Sequence, residues 1–173
     1  MSQDLQRQEN AVLDGLPTET ATIHRRKRHI AALAMADEAT LEAEAAKFSS
    51  AFSYTFLRRP EAGLVMVEGR AGNSGQRFNL GEMLVTRCVV RLTSKDSSTA
   101  TEGYSFIQGS HARHAELAAV FDALLQQKCW AEVLELSLIA PLVADRETAL
   151  RKRAEETAKT RVDFFTLVRG EDE

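Results

Sequence analysis

The sequence predicts an α+β fold: an N-terminal helix pair, an antiparallel meander of about four strands, and then C-terminal helices and an apolar tail. Two observations predict it. The spacing of apolar residues changes from 3.6 to 2 near Ser49 and returns to 3.6 after Gly109. The 173 residues, 44% of them hydrophobic, are enough for one domain with its own core.

Composition excludes several classes of protein. The formal charge of −3 argues against a protein that coats nucleic acid. No apolar run approaches the roughly 18 residues of a membrane span, and the polar N-terminus lacks the layout of a signal peptide. Cys88 and Cys129 are too few for a disulfide framework or a zinc site. We therefore expect a reduced, cytoplasmic protein.

The first structured segment is helical. Ile23, Ile30 and Leu33 keep a helical period, and Asp37 can cap a second helix whose apolar face includes Leu41. The short joint predicts that the helices pair tightly or cross as a helix-turn-helix. The predicted division of the chain is a polar leader 1–17 and a single domain 18–173, comprising a helix pair 18–50, a sheet 51–108, helices 109–160 and a docking tail 161–173.

The sheet begins with two predicted strands. One contains Phe52, Tyr54 and Phe56 in alternation and ends at Pro60. The other, residues 63–70, is apolar and β-branched, which is typical of a strand buried on both faces. The Gly-rich turn RAGNSGQRFNLG that follows from Arg70 predicts a hairpin connection, or a backbone cradle for phosphate.

Residues 82–92 form the clearest strand. Leu84, Thr86, Cys88, Val90 and Leu92 share one face, and this places Cys88 in the core. Arg87 and Arg91 lie on the other face beside valines. A half-buried guanidinium needs a carboxylate or phosphate partner. The alternatives are ion pairs with Glu68 or Glu82, or a binding site for an anion.

A polar loop and a short strand through Tyr104 and Phe106 lead to the next helix. Its first turn combines Ser110, a candidate cap, with cationic or titratable groups at His111, Arg113 and His114. Positive groups there oppose the helix dipole, so an anion or a partner's carboxylate could lie at this end. A metal held by the two histidines is an alternative, but we expect a packed, hydrogen-bonded His114 at the head of the apolar stripe.

Further helices complete the chain. Residues 130–140 predict a short helix that stops before Pro141, and 145–160 predict a solvated helix. The apolar tail should dock on its own domain or on another chain. The candidate docking residues are Val162, Phe164, Phe165, Leu167, Val168 and Arg169.

The basic run from His24 to His29 lies beside the possible helix-turn-helix. It could contact DNA phosphates, but the second helix offers glutamates instead of base-reading groups, so a solvated or partner-facing helix is favoured. No nucleophile–base–orienter set is apparent, and the catalytic residues are left unassigned.

Four segments resemble one family closely: 59–92, 103–126, 138–146 and 161–170, with the motifs TRCVVRL, HAELAAVFDALLQ and RVDFFTLVRG. They resemble the PhnG family, the G subunit of the bacterial carbon–phosphorus lyase core complex. The resemblance runs from about Thr18 to Gly170. The family usually has a charged residue at the position of His111, which weakens the metal alternative.

The resemblance implies an accessory subunit that assembles with the H, I and J subunits in a two-fold symmetric core, with I as its most direct partner. It implies a complex that displaces adenine from ATP with an alkylphosphonate, giving ribose 1-phosphonate 5-triphosphate. Catalysis is expected in the I subunit, and the C–P bond is broken later by the radical S-adenosylmethionine subunit J. We expect no cofactor or metal in this chain, ATP as a substrate of the complex, and no nucleic-acid or membrane partner.

Within that role, six residues are candidates for phosphate, nucleotide or interface contacts: Arg70, Arg87, Arg91, Ser110, Arg113 and His114. The alternative function is a stand-alone nucleotide- or phosphate-binding protein that uses the Arg87 and Arg91 face.

Overall fold

The computed structural model describes residues 18–48, 52–70, 75–94 and 100–160. Helices precede and follow an antiparallel sheet, so the predicted α+β class is confirmed. The elements are α1 (Thr18–Met35), α2 (Glu38–Phe48), β1 (Phe52–Arg70), β2 (Arg77–Ser94), β3 (Thr101–Gln108), α3 (Ala112–Leu125), α4 (Lys128–Leu134), a π-helix (Glu135–Ile139) and α5 (Ala140–Lys159).

The described sheet has three strands in the order β1-β2-β3, where about four were predicted. The difference lies in β1, because the two strands predicted on either side of Pro60 are one 19-residue strand. Register shifts between Phe56 and Glu61 accommodate Pro60 within the pairing of β1 with β2. Since β1 is an edge strand, Pro60 can stand there without removing a ladder hydrogen bond.

Helix α3 packs on one face of this sheet and forms the core with it. Thr86, Cys88, Val90 and Leu92 are buried beneath it, as the alternation in β2 predicted. Gly103 of β3 allows the closest approach, since a Cβ at this position would lie 1.9 Å from the carbonyl oxygen of Ala119. The absence of a side chain there lets helix and strand backbones touch.

The two N-terminal helices form where the sequence places them, with a break at residues 36–37. Their packing differs from the predicted tight pair: α1 lies on α3 and β3, and α2 lies on α3. Leu33 and Leu41 supply their buried contacts, whereas Ile23 is half exposed. Each helix is therefore held by the body of the domain rather than by its neighbour.

The C-terminal helices correct a second prediction. The helix over 130–140 does not stop before Pro141, because α5 begins at Ala140 and continues through the proline. The π-helix precedes it, and the amide of Ala140 donates to the carbonyl of Glu135. A π-turn changes the hydrogen-bond ladder locally, which accommodates a proline that cannot donate. Among the described helices, none is long and apolar enough to cross a bilayer.

The far ends of β1 and β2 form a two-stranded ribbon, because β3 pairs with β2 only from Val85 to Leu92. We call residues 63–70 and 77–84 the arm. Burial of 63–70 on both faces, predicted from its apolar sequence, is wrong for this chain: Leu64 is 62%, Val65 40% and Met66 56% exposed. Helix α3 does not extend far enough to cover them.

Candidate functional site

The outer face of the sheet, opposite α3, carries the predicted arginines. Alternation in β2 places Arg87 and Arg91 on this face, and the register places Phe106 opposite Arg87 and Tyr104 opposite Val89. Phe106 is largely exposed and Tyr104 partly so. The outer face therefore combines two arginines with two aromatic rings, a composition enriched in protein interfaces.

Both arginines have carboxylate partners on neighbouring strands. Arg91 Nη2 lies 2.7 Å from Glu102 Oε1, and Arg87 Nη2 lies 3.6 Å from Glu61 Oε1. Each pair joins residues directly opposite in the strand register. Ion pairing was one of the two sequence-based alternatives, but the partners differ from those expected, Glu68 and Glu82.

These pairs make the outer face nearly neutral. The hydrogen bond from Arg91 lowers the pKa of Glu102, so this carboxylate is ionised at neutral pH. An anionic ligand would have to displace these carboxylates from the guanidinium groups or share the guanidinium groups with them. The arrangement favours cross-strand structure and interface contacts, while a phosphate contact by Arg87 or Arg91 stays a prediction.

Arg26 of the basic run fixes α1 against the edge of this face. Its guanidinium binds both oxygens of Asp122, at 3.1 and 2.7 Å, and lies 5.4 Å from the centre of the Tyr104 ring. The amide of Tyr104 also donates to Asp122, at 2.9 Å. Because Asp122 is almost completely buried, these donors replace the water that its carboxylate loses.

Two more members of the basic run bind the π-helix. Arg28 Nη2 lies 3.0 Å and His29 Nε2 2.7 Å from the carboxylate of Glu135. The hydrogen bond from His29, aided by the charge of Arg28 and opposed by burial, lowers the pKa of Glu135. Arg26, Arg28 and His29 are thus engaged with acidic residues of the chain itself, whereas the sequence predicted a solvated or partner-facing helix.

The start of α3 differs from the sequence-based expectation in its cap. His111, rather than Ser110, is the residue before the helix, and it makes no side-chain capping bond. The hydroxyl of Thr86 performs the local bonding instead, donating to the carbonyl of Gly109 at 2.6 Å and accepting from the amide of His111 at 3.0 Å. Gly109 has a φ of +90°, which favours glycine at this turn.

Arg113 and His114 then take different roles. Arg113 forms ion pairs at 3.1 Å with Glu42 of α2 and with Glu116. Glu116 also accepts a hydrogen bond from Tyr54, and burial together with this bond raises the pKa of the tyrosine. His114 is buried, with Nε2 2.8 Å from the carbonyl oxygen of Leu33. Its expected role as a packed, hydrogen-bonded histidine is confirmed.

Arg70 stands apart from the other candidates, at the far end of the arm opposite Arg77. Pairing of these two residues shows that β1 and β2 form an antiparallel hairpin. The phosphate cradle considered there falls partly on residues 71–74, outside the described residues. The docking residues of the tail, between Val162 and Arg169, also lie outside them.

A cleft of about 460 Å³ opens between the end of α1, α2 and the first turns of α5. It is lined by apolar and by polar or charged side chains in similar numbers, and the hydroxyl of Ser137 donates to Glu44 there at 2.8 Å. In the part of the chain that the structure describes, no group of three or more His, Cys, Asp or Glu residues could hold a metal. Cys88 is buried in the core, and burial raises its pKa to about 11, which makes it a poor nucleophile.

Sequence reasoning missed several residues of the outer face. Glu61 and Glu102 were not identified as arginine partners, because strand register depends on tertiary pairing. Tyr104 and Phe106 were placed on a strand, and their two-residue spacing could have indicated a shared exposed face. The structure does not bring the six candidates together: Arg87 and Arg91 lie on the outer face, Ser110, Arg113 and His114 near the start of α3, and Arg70 at the end of the arm.

The fold and this site define a class: an α+β protein with helices on one face of a three-stranded antiparallel sheet and an arginine–aromatic surface on the other. A family model described as "Phosphonate metabolism protein PhnG" matches residues 24–170. The chain belongs to this family. It is 47% identical over 116 residues to the alpha-D-ribose 1-methylphosphonate 5-triphosphate synthase subunit PhnG of Rhizobium meliloti (strain 1021), covering 67% of this chain and 70% of that protein.

Proposed function

We propose that this chain is an accessory subunit of a synthase that forms alpha-D-ribose 1-methylphosphonate 5-triphosphate in phosphonate metabolism. The observation that carries the proposal is the 47% identity to a protein of that name. In this reaction an alkylphosphonate displaces adenine from ATP at the ribose carbon. The chain assembles with the H, I and J subunits of the complex, and the I subunit is its most direct partner and the catalytic centre.

The site supports a positioning or structural role rather than catalysis by this chain alone. Arg87, Arg91 and Arg113 each have a carboxylate neighbour. Such pairs can orient a guanidinium towards a triphosphate or a partner's carboxylate, and a carboxylate held by a guanidinium is a weakened base, which favours positioning over catalysis. The chemistry therefore belongs to another subunit, with ATP as the substrate of the complex and no cofactor in this chain.

The proposal is tested by omission. The remaining subunits are co-expressed with or without this chain, and adenine release from ATP and methylphosphonate is measured. We expect adenine release only when the chain is present, and none from the chain alone. Undiminished release without the chain would contradict a role in the synthase.

A double substitution separates ligand contact from assembly. Arg87→Gln with Arg91→Gln removes both charges from the outer face, and Lys128→Gln is a control outside that face. If the arginines contact the triphosphate, the KM for ATP rises while the complex still forms. If they are interface residues, the complex itself weakens. ATP binding by the isolated chain, lost in the double variant, would instead support the stand-alone nucleotide-binding alternative.

The tail needs its own test, because its predicted docking residues lie outside the described residues. A chain shortened after Thr160 lacks residues 161–173 and keeps α5 intact. We expect this deletion to abolish co-purification with the I subunit. Normal assembly of the shortened chain would show that the tail is not the anchor.

A further inference from the structure

The arm is apolar on both sides. Strand alternation places Leu64, Met66 and Leu84 on the α3 side, and Val65 and Phe78 on the outer side. Leu80 also lies on the outer side, because its side chain covers Gly69. Its Cδ1 is 2.6 Å from the position that a Cβ of residue 69 would occupy. Their exposures range from 40% to 63%.

The sequence of the arm is that of a buried strand, but the described part of the chain does not bury it. Runs of apolar residues on both faces of a strand are typical of sheets covered on both sides. Within the domain α3 covers one face, and its coverage ends before Leu64. A sequence suited to two-sided burial is therefore left exposed on both sides by the described part of the chain.

The exposed apolar area of the arm is close to the apolar area that a standard protein interface buries on one partner. Six half-exposed apolar side chains leave about 500 Å² of apolar surface, using roughly 150–200 Å² for each when fully exposed. This total, divided between the two faces, lies within the range of about 300–600 Å² for the largest apolar patch of a soluble monomer, a patch that is often functional. A standard interface buries about 800 Å² per partner, of which about 60% is apolar, so the arm alone supplies most of what one requires.

We infer that the arm inserts into an apolar cleft of another subunit of the synthase complex, with both faces covered by that one partner. The inference rests on the proposed function, because it takes the partner to be a different chain. Two copies of this chain that stack arm on arm bury one face of each ribbon and leave the other bare. A single partner that surrounds the ribbon covers both faces.

The charged residues of the arm indicate which part of it stays outside such a cleft. Arg77 Nη1 lies 3.2 Å from Glu68 Oε1, and both side chains are exposed at the far end of the arm. Arg70 stands opposite Arg77 in the strand register. Strongly hydrated groups of this kind belong at the polar rim of an interface, so the cleft covers the apolar length of the ribbon and leaves its end in water.

The test uses one substitution on each face. Leu64→Gln changes the α3 side and Leu80→Gln the outer side, while Leu136→Gln, at a 71% exposed leucine of the π-helix, is the matched control. Binding of each purified full-length variant to the co-expressed remaining subunits is measured by interferometry, and urea unfolding verifies that each variant is folded. We expect about a 10-fold loss of affinity for each arm variant, about 100-fold for the double variant, and less than twofold for the control.

The outcomes separate this inference from the proposed function. Wild-type assembly with unchanged binding by the arm variants overturns insertion and leaves the subunit role intact. An effect at only one of the two positions overturns burial on both faces. A homodimer of the isolated chain that the arm variants abolish identifies a second copy as the occupant and overturns the inference. Failure of the wild-type chain to bind the other subunits overturns the proposed function and this inference together.

Discussion

Substitution of Gly103 by alanine should destabilise the fold more than its size suggests. The added Cβ would lie 1.9 Å from Ala119 O, 2.7 Å from Ala123 N and 2.9 Å from Ala119 C. All three atoms belong to the backbone of α3, so no side chain can rotate away. Since real Cβ contacts are essentially never shorter than 3.0 Å, the helix must move away by about 1 Å.

The cost follows from what α3 contacts. The helix packs on all three strands and contributes much of the buried core, so a shift of that size loosens many contacts at once. We expect a loss of about 3 kcal/mol in the free energy of unfolding, at the upper end for overpacked cores. At about 2–4 °C per kcal/mol for a chain of this length, Tm falls by about 6–12 °C.

Urea unfolding of the purified chain, followed by circular dichroism, measures this loss. Gly63→Ala is the matched control, because nothing lies within 4 Å of the Cβ position there. We expect that control to change the free energy of unfolding by less than about 1 kcal/mol. A Gly103→Ala variant within 1 kcal/mol of the wild type would refute the close-approach argument.

Three further predictions concern charged and titratable groups. Asp122→Asn removes the buried carboxylate that binds Arg26, whose side chain is 34% exposed, and should cost about 2 kcal/mol by urea unfolding, whereas Glu61→Gln, in an exposed pair, should cost less than about 1 kcal/mol. In the native chain at pH 8, a thiol reagent such as Ellman's reagent should label Cys129, which is exposed, and spare Cys88, whose pKa burial raises to about 11; equal labelling would contradict this. Because the pKa of Glu135 is lowered on folding, its contribution to stability is present above the ordinary glutamate value of about 4.3 and disappears as the pH falls through the lower folded pKa. The stability difference between wild type and Glu135→Gln should therefore shrink in acid, and a difference that is constant down to pH 2 would show that the carboxylate's charge is not its cause.

The elements that sequence predicted correctly are those with a long, uninterrupted period. The two faces of β2 follow from alternation alone, and burial of Cys88 and exposure of Arg87 follow from their parity. The apolar face of α3 and the packed His114 in its first turn were equally predictable from helical spacing. Local periodicity determines which side of an element is apolar, and that side faces the core wherever a core is available.

Predictions failed where a local signal depended on its surroundings. The sequence predicts that elements end at Pro60 and Pro141, but an edge position and a π-turn let the chain continue through both. Ser110 has the side chain of a helix cap, yet the Thr86 hydroxyl from a neighbouring strand bonds the turn instead. For Pro60 and Ser110 the deciding neighbour is β2, which is distant in sequence, so no local pattern can reveal it.

The sequence by itself determined the fold class, the faces of the main strand and helix, and, through its motifs, the PhnG family. Only the tertiary structure decided which carboxylates pair with Arg87 and Arg91, because strand register sets that choice. Only the structure showed that residues 63–70, apolar on both faces, are left uncovered by the described part of the chain. Hydrophobic pattern specifies that a surface must be buried, but the position of the helices decides whether the chain buries that surface itself or leaves it to a partner.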